Sequence, residues 1–89
     1  HGWAPLCLTR GRLAWRAGHR QRAAWYFRAA RRLADRCGMA TTAARALAWQ
    51  GRAAADASMM REALSLLRAY SAHAEASAIE GWLTGATRV

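Results

Sequence analysis

Lysine and asparagine are absent from this 89-residue sequence, and valine, isoleucine, phenylalanine and proline occur once each. With two β-branched aliphatic residues, the chain cannot furnish the pleated, half-buried surfaces of a sandwich or barrel. Two cysteines, Cys7 and Cys37, are too few for a disulfide framework or a structural zinc site, so both are expected as free thiols. No apolar run approaches the roughly 18 residues that would suggest a membrane span, and no secretory leader is visible. The expected setting is cytoplasmic, with no membrane contact. The sequence begins with His1 rather than Met, which reads as a segment of a larger protein.

What is present points to helices. Alanine supplies 24 residues, half of the apolar total. It has the best helix propensity and lets backbones approach closely. All 14 basic residues are arginine, and they are unevenly spread. Ten arginines and one acid precede Ala46, whereas four arginines and four acids follow, so the entire net charge of +9 sits on the first half. Such a field attracts acidic partners.

Punctuation divides the chain further. Pro5 suits the opening of a first helix, which Gly18 ends near Ala17. A second helix is expected from about Arg20 to Arg36, with Ala23, Tyr26, Phe27, Ala30, Leu33, Ala34 and Cys37 on one face and Gly38 at its end. Thr41 or Thr42 is the expected cap of a third helix running to about Ala57. Ser58 would cap a fourth, striped by Met60, Ala63, Leu64, Leu67, Tyr70 and Ala74. Nothing breaks that pattern before Gly81, so a long fourth helix and a short tail at 81–89 are expected.

The chain also partly repeats itself. A shift of 40 residues gives eight identities over residues 7–38, among them Gly11 with Gly51 and Ala23 with Ala63. Glycine within a helix costs roughly 1 kcal/mol against alanine, so its recurrence there implies close packing. Gly11 is expected against Ala23 and Phe27, and Gly51 against Ala63 and Leu67.

Glycine with a small residue three later (Gly11, Ala14), a turn at Gly18, then alanine, an aromatic and alanine (Ala23, Phe27, Ala30) resemble a tetratricopeptide repeat. Gly51, Ala54, Ala63 and Leu67 form a similar second unit, with Tyr70 where a small residue is usual. The segments Tyr26–Ala34 and Arg61–Leu67 look like repeat regions attached to bacterial helix-turn-helix transcription regulators. The 40-residue spacing exceeds the family's 34. This resemblance implies an all-α fold, with antiparallel hairpins stacked as a short solenoid of about four helices plus a tail. Repeat 1 would span about 4–38 and repeat 2 about 41–80, in one module over 1–89. First helices would line a concave, ligand-binding face formed by Arg12, Trp15, Arg16, Arg45, Trp49 and Arg52. The expected ligand is a protein or peptide segment of acidic character, bound within a larger regulator or assembly.

Two other uses of the surface remain. Trp25, Arg28, Arg32 and Arg36 form a basic stripe on the second helix, which suits phosphate backbone with a stacking tryptophan. The plain alternative is a solvated convex face with Trp25 covered by the segment around Trp3. Base-edge readers are missing from this helix between Arg22 and Arg36, so nucleic acid is the weaker option. A purely structural module is the other: Met59, Met60, Tyr70, Ile79, Trp82 and Leu83 suggest an open apolar end, and a homo-oligomer through the C-terminal helix. No histidine is spaced with acids for metal binding or catalysis, so neither enzyme activity nor a cofactor or metal is expected.

Overall fold

The computed structural model describes residues 2–70 and 72–88; His1, Ser71 and Val89 (the last in the expected tail) lie outside them. Among the described residues every regular element is an α-helix: α1 Trp3–Arg16, α2 Arg20–Arg36, α3 Ala40–Ala54, α4 Ala57–Ala69 and α5 His73–Arg88. Each helix packs on the next, and α3 also touches α1 and α5.

One turn geometry recurs. Gly18 (φ +83°) and Gly38 (φ +69°) are left-handed, and the amides of His19 and Met39 donate to the carbonyls of Ala14 and Ala34 at 2.9 and 2.8 Å. This six-residue closure satisfies carbonyls that a helix end leaves open. The same closure joins Asp56 N–H to Gly51 C=O at 2.8 Å and Ala72 N–H to Leu67 C=O at 2.9 Å. At the third turn the left-handed residue is Ala55 (φ 54°), a side chain that rarely accepts that conformation. Asp56 compensates, because its Oδ1 accepts from Met59 N–H at 3.2 Å and caps α4.

Several sequence expectations are corrected here. Asp56, not Ser58, caps α4, and α3 stops at Ala54 rather than Ala57. Met39 occupies the start of α3 without a side-chain bond, while Thr42 is buried inside the first turn. The long fourth helix is two helices, α4 ending at Ala69 and α5 beginning at His73, so the described residues form five helices and not four with a tail. Gly81 and Gly85 lie inside α5 with open space around them. Ala76 and Ile79 are buried against α3 and α4, and such packing outweighs the intrinsic cost of two glycines.

The core has two parts. Between α1, α2 and α3 it consists of Leu8, Ala14, Ala23, Phe27, Ala30 and Ala46. Phe27 is fully buried, and a methyl placed on Gly11 would stand 2.5 Å from its Cε1. The expected Gly11–Phe27 approach is therefore present. Between α3, α4 and α5 the core is larger-grained, with Leu47, Met60, Leu64, Leu67 and Ile79. Gly51 meets Met59 and Met60 rather than Ala63 and Leu67. The reason is register: α2 and α4 begin 37 residues apart, at 20 and 57, and α3 and α5 begin 33 apart, at 40 and 73. On that alignment Gly51 corresponds to Ala14, since both accept the turn-closing bond, and Phe27 corresponds to Leu64.

The expected apolar surplus at the C-terminal end is reversed. Met60 and Ile79 are buried, and Met59, Trp82 and Leu83 are partly buried against the second core. Apart from Leu66 and Tyr70, the exposed large apolar side chains are Trp3, Leu6, Leu13 and Trp25, all on α1 and α2. Cys7 and Cys37 are both free.

Candidate functional site: a tryptophan–arginine groove

Helices α1, α3 and α5 line an open groove of about 300 Å³. Equivalent positions of the three helices recur along it: Leu8, Arg45 and Ala78 in one tier, Arg12, Trp49 and Trp82 in the next. Its floor is apolar, with buried Leu8, Ala48, Leu67 and Ile79.

The aromatic wall is built outward from the core. Trp49 stacks on buried Phe27 at 5.5 Å between centroids, and Trp82 tilts against Trp49 at 4.8 Å. Because Phe27 is fully buried and Gly11 lies against one edge of its ring, the indole of Trp49 rests on a fixed support. Trp82 is thus joined to α3 through Trp49, and it packs on the core that α3, α4 and α5 share.

Arginines lie over these rings. The Arg52 guanidinium sits 4.4 Å from the Trp82 centroid, 5.2 Å from Trp49 and 5.4 Å from Trp15. Arg12 lies 5.3 Å over Trp49, and Arg20 lies 5.5 Å over Trp15. The negative faces of the rings attract these cations and hold them extended. Among the described residues Arg52 has no carboxylate partner, and burial pushes its pKa down. Arg45 differs: its Nε donates to Glu75 Oε2 at 2.5 Å, and that bond raises its pKa against the lowering effect of burial. Glu75 is the acid in the groove; Glu80 pairs with Arg68 elsewhere on α4 and α5.

Of the six residues expected on a concave face, Arg12, Trp15, Trp49 and Arg52 converge in one cluster. Arg12, Trp49 and the Glu75-paired Arg45 line the groove itself, and Trp15 and Arg52 adjoin it through the Trp49 and Trp82 rings. Arg16 is not part of the cluster; it is exposed in the last turn of α1, and Arg20 takes the place over Trp15. Sequence reasoning missed Trp82, assigned to a tail, although Ala76, Ile79 and Leu83 at spacings of three and four mark a helix face. It also missed Glu75 and Leu8.

The second candidate set is also assembled. Trp25, Arg28, Arg32 and Arg36 are exposed and line a shallow groove along the outside of α2. Trp25 is 59% exposed and Trp3 is 68% exposed, so Trp3 does not cover it. Among the described residues no group of three His, Cys, Asp or Glu is placed to hold a metal, and no helix is long and apolar enough to cross a membrane. Comparisons with protein-family models, curated proteins and solved structures find no match to this chain.

Proposed function

We propose that the chain is a tetratricopeptide-like interaction module. Its α1–α3–α5 groove binds an acidic protein segment on behalf of a larger regulator or assembly. The observation that carries the reading is Arg52, a partly desolvated cation over three tryptophan rings with no carboxylate of its own among the described residues. A bound carboxylate would relieve that arrangement, and charge-assisted bonds to arginine are among the stronger polar contacts. The apolar floor would take an adjacent aliphatic or aromatic side chain. Support for the family comes from the helix spacings of 37 and 33, which bracket the family's 34. Further support comes from the tiers of equivalent positions along the groove.

The test uses random peptides displayed on phage and selected against the protein, followed by titration of the winning peptide into the ¹⁵N-labelled chain. Winners are expected to pair Asp or Glu with an apolar residue and to shift the indole N–H signals of Trp15, Trp49 and Trp82. Arg12→Glu with Arg52→Glu should abolish binding. Winners free of acids, or shifts confined to Trp3 and Trp25, would refute the groove reading.

A further inference from the structure

The outward side of α2 carries a charge that the fold leaves unanswered. Ala23, Phe27, Ala30 and Ala34 mark the buried side of this helix. At about 3.6 residues per turn, Trp25, Arg28, Arg32 and Arg36 fall within about 50° of the opposite line, so all four face solvent from one helix. Among the described residues none of these arginines forms an ion pair; the pairs that do form, Arg45–Glu75 and Arg68–Glu80, join other helices. Asp35, the one acid of α1 and α2, borders the stripe on the α3 side beside Arg31 and Gln50, and it forms no ion pair either. Trp25 is 59% exposed and meets Tyr26 edge-on at 5.2 Å, a contact that steadies the indole and leaves most of it in water.

We propose that this stripe binds single-stranded nucleic acid, with phosphates on Arg28, Arg32 and Arg36 and one base stacked on Trp25. The combination of charges with a flat ring selects that occupant. Each unit of such a strand carries one phosphate and one aromatic base. Successive arginines stand about 6 Å apart along the helix, close to the step between phosphates of an extended strand. Stacking and backbone contacts need no base-edge readers, so the lack of Asn, Gln and Ser between Arg22 and Arg36 is no obstacle. A duplex would offer phosphates but keep the faces of its bases stacked away from Trp25. An acidic peptide would meet the arginines without a ring for the indole at each charge. This stripe shares no residue with the α1–α3–α5 groove, so either proposal survives failure of the other.

Fluorescence anisotropy of a labelled oligothymidylate of about 12 nucleotides, titrated with the chain, tests the proposal. Binding is expected at low salt and should weaken as salt rises, with a log–log slope of about −2 for three phosphates of a single strand. In the ¹⁵N-labelled chain the strand should shift the indole signal of Trp25 and leave those of Trp15, Trp49 and Trp82 in place. Trp25→Ala should weaken binding roughly tenfold, and Arg32→Glu with Arg36→Glu should abolish it. These three positions are exposed, and circular dichroism of each variant checks that the helices persist. No binding at low salt, shifts at the other tryptophans instead of Trp25, or undiminished binding by Trp25→Ala would overturn the proposal. So would a duplex of the same length, or poly-glutamate, bound as tightly as the single strand; the second result would make the stripe a docking face for an acidic protein.

Discussion

The two halves of the molecule deploy their large apolar residues in opposite ways. The α3–α4–α5 half is close to neutral, five arginines against four acids, and buries Leu47, Met60, Leu64, Leu67 and Ile79 inside. The α1–α2 half carries nine arginines against one acid, fills its interior with alanines around Phe27, and turns Trp3, Leu6, Leu13 and Trp25 outward. Alanine and glycine at the contact let α1 and α2 approach closely, so one aromatic ring fills what several leucines fill in the other half. Stability in the first half therefore rests on few side chains, while its surface is left free for other work.

The sharpest way to break this contrast is Phe27→Ala. The ring is fully buried between Gly11 and Trp49, so truncation should cost about 3–5 kcal/mol. Loss of its support should also release Trp49, lowering the near-ultraviolet dichroism of the native state. Leu64→Ala, at the corresponding position of the second half, should cost less, since Leu67 and Met60 remain around it. Urea denaturation of both variants checks the ranking; equal costs would mean that the alanine-rich core is no more dependent on one residue than the other.

Gly11→Ala should come next, at about 1–3 kcal/mol, because the added methyl would stand 2.5 Å from a ring that cannot retreat. The improvement in helix propensity, about 1 kcal/mol, offsets part of this. Gly81→Ala is the control: nothing lies within 4 Å of that position, so the propensity gain should appear alone as a higher melting temperature.

These glycines also explain what was legible in the sequence. Helix α2 was readable to its ends because Gly18 and Gly38 supply the left-handed residue of each turn and Ala23, Phe27, Ala30 and Ala34 keep helical spacing. The α3–α4 turn was not, because an alanine takes the left-handed position within Ala53–Ala57, a stretch that local propensity reads as helix. The α4–α5 break lacks any glycine or proline for the same reason. Arg12, Trp15, Trp49 and Arg52 could be grouped from the sequence because helical spacing sets them beside the core stripes of α1 and α3. Trp82 was missed once Gly81 was taken as a helix end, whereas packing on α3 and α4 carries α5 through both of its glycines.

A smaller effect is expected at Arg52. Burial lowers its pKa in the fold, so Arg52 stays charged at neutral pH but folding carries a desolvation penalty for that charge. That penalty would vanish only as alkali removed the proton. Arg45 has the opposite sign: its raised pKa means a contribution present at neutral pH and lost only in strong alkali. Arg52→Met removes the penalty along with the cation–ring attractions, and the two nearly cancel, so stability should change by less than about 1 kcal/mol. Affinity for a groove-binding acidic peptide should fall about tenfold or more over the same substitution. A large loss of stability with unchanged binding would make Arg52 a structural prop.

The smallest effect belongs to the outer face of α1–α2. Leu13→Gln and Trp25→Gln replace side chains that are each 59% exposed, so either should move stability by no more than about 0.5 kcal/mol. Trp25 keeps an edge-on contact with Tyr26 at 5.2 Å, which sets the upper end of that range for it. A residue this exposed adds little to the isolated fold, yet it holds apolar surface in water that a folded chain has no internal reason to display. Thermal melts at low and high protein concentration separate the two ways of breaking this expectation. A loss above about 1 kcal/mol at every concentration would mean that α1 and α2 use these residues internally. A loss seen only at high concentration would mean that copies of the chain already cover one another there. Unchanged melting at both would mean that neither the fold nor self-association draws on Leu13 and Trp25.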